Sequence, residues 1–299
     1  MRVQVRVPAT SANLGPGFDA LGLALALYNE VVAEEADRVS VTVEGEGAGR
    51  LATNDDNVVA RGVKMAYEAA GRPFRGVALA CVNRVPTSRG LGSSAAAWVG
   101  GLVAGNALMG SPLSKDAVLS LAARAEGHPD NVAAAIFGGL TVSCATAAGV
   151  TAIPLPVPPN LAWVALIPEA TSATAEARAV LPATVPREDA VFNVQRVALL
   201  LASLQAGRPA ALAAALDDRL HQPYRVTLFP WMPAVVAAAR AAGALGCVLS
   251  GAGPSLLAVV DGSADAVARA MGEALARAGL RGAARAFEVD TAGAVGRAG

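Results

Sequence analysis

The chain has 299 residues, 54% of them hydrophobic and only 4% aromatic, so its core is built from Ala, Val and Leu. Charged residues make up 16% and balance at 24 basic against 24 acidic. This composition argues against disorder, and the lack of a basic excess argues against a nucleic-acid partner. A chain of this length forms one large domain or two ordinary ones and buries roughly 75% of its unfolded surface.

The start, MRVQVRV, alternates Val3, Val5 and Val7 with polar residues, which predicts a strand and lacks the apolar run of a signal peptide. Strand patterns recur at 39–43 and 76–82, and helical patterns at 58–70, 94–109 and 115–126. The last has a marked start, with Ser114 as N-cap and Leu113 and Val118 spaced for a hydrophobic staple. Strands are expected again at 138–143 and 150–155. The stretch PLPVPP at 154–159 is the best boundary between two domains, 1–155 and 156–299. Beyond it the pattern is strand 161–167, helices over 190–216 and 231–242, strands 245–250 and 255–260, helix 263–279 and strand 284–289. Within helix 263–279, Val267, Met271, Leu275 and Ala278 share a face. Without the extra helices this is β-α-β-β-α-β, the ferredoxin-like order, and the whole reads as an α+β protein.

Three cysteines, Cys81, Cys144 and Cys247, are far apart and form no CxxC pair, so neither a disulfide framework nor a zinc site is suggested. They read as small buried apolar side chains, and a reducing cytoplasm fits. No charge occurs between Arg89 and Lys115, or between Asp130 and Glu169. The first stretch is dense in glycine and the second is broken by Pro154, Pro156, Pro158 and Pro159, so buried elements explain both better than a membrane span.

The first of these stretches opens with RGLGSSAAAWVGG at 89–101. Glycines ahead of a helix let an anion approach its unpaired N–H groups, so Gly90, Gly92, Ser93 and Ser94 could surround a phosphate. No lysine follows, which excludes a Walker A loop. The dinucleotide fingerprint fits loosely as Gly90-x-Gly92-x-x-Ala95, but 110–115 offers no strand end for Asp116. On this stretch alone, a small-residue helix packing closely against a neighbour stays open.

Three other stretches bear on it: PATSANLGPGFDALG at 8–22, EGHPDNVAAAIFGG at 126–139 and SGAGPSLLAV at 250–259. Together with PTSRGLGSSAAA at 86–97 they resemble the GHMP kinase superfamily of small-molecule kinases, and within it the homoserine kinases. The resemblance runs from residue 3 to about 260. It implies a two-domain fold, with an N-terminal half like ribosomal protein S5 domain 2 and a ferredoxin-like C-terminal half. It implies ATP and Mg²⁺ as cofactors, L-homoserine as substrate, threonine biosynthesis as setting and a homodimer as assembly.

The residues follow one by one from that resemblance. Pro86, Arg89, Gly90, Leu91, Gly92, Ser93, Ser94 and Ala95 match the loop around the ATP phosphates, and Asn57 matches a position beside adenine, although asparagine is equally at home in a turn there. Ser94 and Glu126 resemble Mg²⁺ ligands, hard oxygens that suit that cation. Asn13, Asp19, His128 and Thr174 match positions around the amino acid, with Asp19 facing its ammonium. Arg178 and Arg225 match arginines for its carboxylate, which a guanidinium fork meets at two points. Asn131 stands where many of these kinases have aspartate, so it would align the attacking hydroxyl rather than take its proton. His221 reads as structural. Mevalonate and shikimate, substrates of relatives, carry no amine for Asp19 to meet.

Overall fold

The structure, a computed structural model, describes residues 1–147 and 149–299. In chain order it contains β1 (Arg2–Ala12), β2 (Leu21–Glu35), β3 (Ser40–Gly45), α1 (Val58–Ala69), β4 (Val77–Asn83), α2 (Ser93–Leu108), α3 (Lys115–Glu126), α4 (Asp130–Phe137), β5 (Leu140–Thr146) and β6 (Gly149–Leu155). After the prolines come β7 (Ala162–Pro168), α5 (Thr174–Ala179), α6 (Arg187–Gln205), α7 (Leu212–Ala215), α8 (Gln222–Arg225), α9 (Met232–Ala241), β8 (Ala244–Leu249), β9 (Leu256–Val260), α10 (Ala264–Arg277), β10 (Gly282–Phe287) and β11 (Val295–Ala298).

Two sheets organise these elements. The first has the order β11-β1-β2-β4-β3, with β5 and β6 branching from the front of β2. The second runs β10-β7-β9-β8, the antiparallel order that a ferredoxin-like βαββαβ unit gives. The architecture is α+β. Valines 3, 5 and 7 face the core as their alternation required, until the register shifts between Pro8 and Ala9 and every side chain to Ala12 is buried.

β2 carries no sequence signal. Its first half, LGLALAL, is largely buried on both faces, so period-two alternation is absent and alanine and leucine read as helix or loop. The helices expected over 190–216 are α6 and α7, parted after Gln205, where Gly207 takes φ 62° and a 3-10 turn spans Pro209–Ala211. Ser114 caps α3 as expected, accepting from the Ala117 N–H at 3.2 Å.

α2 is apolar all round and runs through the first core. Its glycines let it lie against α1 with backbones touching: a Cβ on Gly101 would sit 2.1 Å from the Val59 carbonyl oxygen. Close helix packing is therefore real here, but it concerns Gly101 and Gly105, a turn or more beyond the glycines that begin the helix. The final strand β11 pairs with β1, so the chain returns to the first sheet after completing the second.

Candidate active site

The N-terminal end of α2, the turn after β1, the start of α4, the segment at α5 and the 250–255 turn meet around one cleft of about 360 Å³. Its floor is the loop from Ser88 to Gly92. Positive φ recurs at every second residue, 56° at Ser88, 75° at Gly90 and 69° at Gly92. That alternation turns successive N–H groups to one side and makes a concavity for an anion. Among the described residues, no hydrogen-bond acceptor is found for the backbone N–H groups of residues 90–95. Gly90, Gly92, Ser93 and Ser94 line the cleft. Leu91 and Ala95 do not: their side chains are buried in the core. Pro86 lies outside the lining, and Arg89 lines it while donating to the Glu169 carbonyl and to Glu46.

The 250–255 turn braces this loop. A Cβ on Gly90 would meet the Ser250 carbonyl oxygen at 2.3 Å, and the Ser250 hydroxyl donates to the Gly90 carbonyl at 2.6 Å. Gly251 and Gly253 have φ 55° and 84°, positive values that glycine adopts without strain.

At the end of α3, the Ser94 hydroxyl donates to Glu126 Oε2 at 2.7 Å. Two hard oxygens thus sit together at the rim of the anion cradle. No cluster of three His, Cys, Asp or Glu side chains able to hold a metal exists among the described residues. This pair fits a Mg²⁺ ion that draws its other ligands from phosphate and water, as that ion usually does.

At the opposite end of the cleft, side chains dominate. Asp19, held at φ 57°, pairs with Arg178 through two hydrogen bonds of 3.0 and 2.7 Å. The bond to Asp19 raises the Arg178 pKa above its ordinary value, against partial burial. Arg225 is only 2% exposed. Its Nε donates to the Ala177 carbonyl, and one Nη donates to the Gly251 carbonyl and to His221 Nδ1. Burial lowers its pKa to about 10, and it stays charged at neutral pH. The other Nη has no protein acceptor among the described residues. Phe18 lies under both guanidiniums, with ring centroid distances of 5.6 Å to Arg178 and 5.5 Å to Arg225.

Asn13, Asp130, Asn131, His128 and Thr174 complete the wall. The Asn13 amide is already engaged, donating to the Gly251 carbonyl and accepting from the Asp19 N–H, so it shapes the turn that presents Asp19. Asp130 is buried and its Oδ1 takes both His128 Nδ1 and the Asn131 N–H at 2.7 Å. Burial opposes charge on His128, but the bond to Asp130 and the nearby Asp130 and Glu126 charges raise its pKa overall. Asn57 also borders the cleft, but as the N-cap of α1: it accepts from the Val59 N–H and donates to the Ala52 carbonyl. Asn57 thus serves the turn through one N–H and its oxygen, and still borders the cleft.

Comparison with known proteins gives the family of the chain. The model for "GHMP kinases N terminal domain" matches residues 57–139, and that for "GHMP kinases C terminal" matches residues 200–277. The chain is 47% identical to the homoserine kinase of Moorella thermoacetica, over 93% of this chain and 94% of that protein. It is 50% identical to that of Gloeobacter violaceus, over 89% and 91%. The chain belongs to the homoserine kinase family of GHMP kinases. A crystal structure of homoserine kinase from Cytophaga hutchinsonii superposes with a TM-score of 0.91 at 30% identity, covering 99% of this chain and 97% of that one.

In this homoserine kinase family member, three features of the cleft escape the sequence. Thr10 and Phe18 have no distinguishing signal within PATSANLGPGFD. His221 reads as structural and is fully buried, yet it touches Arg225. Its position four residues before Arg225, on the same helical turn, is the signal that could link them.

Proposed function

We propose that this protein transfers the γ-phosphoryl group of ATP to the side-chain hydroxyl of L-homoserine, giving ADP and O-phospho-L-homoserine. One observation carries the reading: Arg178, Arg225 and Asp19 share a cleft with the run of free N–H groups at 90–95. The cleft thus offers an anion cradle at one end and, at the other, side chains matched to a small zwitterion.

The backbone of 90–95 and the hydroxyls of Ser93 and Ser94 hold the triphosphate, with Leu91 and Ala95 contributing through main chain alone. Ser94 and Glu126 would hold Mg²⁺, which when bound neutralises charge on the phosphate oxygens. Arg225, through its free Nη, and Arg178 take the substrate carboxylate, while Asp19 takes the ammonium. Asn13, His128 and Thr174 border that pocket, and Asn57 lies toward the base. The substrate oxygen then attacks the γ-phosphorus as the bond to the bridging oxygen of ADP breaks. Asn131 aligns that oxygen, and the proton passes to phosphate or water. No protein base is needed, because phosphoryl transfer has a loose transition state and is accelerated mainly by positioning and charge stabilisation.

The same reading puts the enzyme in threonine biosynthesis, in the cytoplasm, as a homodimer; light scattering on the purified protein checks the assembly. The activity is tested by measuring ADP formation with L-homoserine, L-serine, mevalonate and shikimate in parallel. L-homoserine is expected to give the highest kcat/KM. Faster turnover of mevalonate or shikimate would overturn the assignment.

A further inference from the structure

Thr10 is fully buried near the end of β1, just past the register shift at Pro8 and Ala9. Its two polar groups point to the two halves of the reaction. The Thr10 backbone N–H donates to the Leu91 carbonyl in the glycine loop at 3.1 Å. Its hydroxyl donates to Asn131 Oδ1 at 2.7 Å. Gly92 closes the triangle: a Cβ there would fall 1.9 Å from Thr10 Oγ1 and 3.0 Å from Asn131 Oδ1. The loop, the threonine and the asparagine therefore touch at one point, with no room for a side chain between them.

An amide has one oxygen and one NH₂. With the Asn131 oxygen held by Thr10, its Nδ2 is the group left to face a substrate, with only a 3.5 Å contact to Asp130 Oδ1. We propose that Thr10 is a positioning residue for phosphoryl transfer: its hydroxyl fixes the Asn131 amide so that the NH₂, not the oxygen, meets the acceptor hydroxyl, at a distance from the glycine loop set by β1. Asn131 then donates to the oxygen that attacks. The hydroxyl proton stays free to leave toward a phosphate oxygen, and the amide cannot compete for it. The proposal rests on the kinase reading above, and concerns only how its acceptor is aimed.

The backbone N–H that contacts Leu91 is kept in every substitution but proline, so side-chain changes separate aim from nucleotide binding. Thr10→Val keeps shape and removes the hydroxyl; Thr10→Ser keeps the hydroxyl and loses a methyl. Steady-state kinetics are expected to show kcat for L-homoserine falling by about 10- to 100-fold in Thr10→Val, the scale expected for misaligned reactants. KM for ATP and for homoserine should change by less than about 3-fold, and Thr10→Ser should recover kcat to within about 3-fold of wild type. Adding Thr10→Val to Asn131→Ala should cost nothing more, because the two residues act as one unit. Wild-type kcat in Thr10→Val, equal loss in Thr10→Ser, or full additivity with Asn131→Ala would each overturn the proposal. Should Thr10→Val not fold, Thr10→Ala in the same cycle measures the same coupling to Asn131. A wild-type enzyme inactive on homoserine would instead refute the kinase reading, so the two failures are distinct.

Discussion

The two ends of the cleft present donors suited to an anion by different means. At the glycine loop the donors are main-chain N–H groups, and the side chains behind them, Leu91 and Ala95, are ordinary core. At the other end the donors are the guanidiniums of Arg178 and Arg225, each tied to protein acceptors. Main-chain donors have no rotamers to order, so that end is fixed by the fold and is sensitive to anything that adds bulk. Side-chain donors are exchangeable one at a time, so that end should lose affinity in steps.

The comparison is broken most severely at Gly92. Its φ of 69° disfavours any L side chain, and a Cβ would strike Thr10 Oγ1. Gly92→Ala is expected to lower kcat/KM by about 100-fold or more, with kcat and the KM for ATP both affected, in assays varying each substrate. A loss below about 3-fold would mean the loop yields more easily than its packing indicates.

The next effect sharpens the contrast within the charged end. Arg225 is 2% exposed, whereas the Arg178 side chain is 39% exposed. Arg225→Met should raise the KM for homoserine by roughly 30- to 100-fold, about 2–3 kcal/mol, while leaving the KM for ATP unchanged. Arg178→Met should raise it only about 5- to 20-fold, because solvent screens its charge. Equal losses would show that burial does not set the ranking.

The smallest effect concerns His221, which supports Arg225 from behind. His221 Nε2 donates to the Gly15 carbonyl at 2.8 Å and Nδ1 accepts from Arg225 at 3.1 Å, with Asp218 Oδ2 at 3.5 Å and Phe18 stacked on the ring. Burial lowers its pKa, which the Asp218 and Asp19 charges oppose and Arg225 reinforces. The unfolded chain therefore takes up a proton near pH 6.5 that the folded protein refuses. Stability from this group is present above about pH 6.5 and is lost as pH falls, by up to about 1.4 kcal/mol per pH unit. Thermal melts between about pH 7 and pH 5 should show Tm falling by about 2–4 °C per unit from this source, and a shallower slope in His221→Phe. Parallel slopes would place the acid sensitivity elsewhere.

These contrasts also explain what the sequence makes legible. The glycine loop, the Ser114 cap and the strand order of the second sheet are readable, because each depends on local residue types: positive φ, a capping hydroxyl, alternation between turns. The first half of β2 is not, because a stretch covered on both faces carries no period. Asn57 is half legible, since a cap and a ligand draw on the same amide. Thr10 acts through Asn131, 121 residues away, and no local pattern announces such a contact, whereas the four-residue spacing of His221 and Arg225 leaves that pair half legible.

The return of the chain has a mechanical consequence. The second sheet is entered after β6 and left through residues 288–290, where Ala26 N–H donates to the Glu288 carbonyl, Asp290 N–H to the Ala24 carbonyl and Gly139 N–H to the Asp290 carbonyl. β11 then zips onto β1. The second lobe is thus moored to the first at both of its ends, like a drawbridge pinned at each bank. A lobe hung from one strap pivots freely about it; two attachments remove that single pivot and tie the placing of Arg178 and Arg225 to the sheet beside the amide cradle.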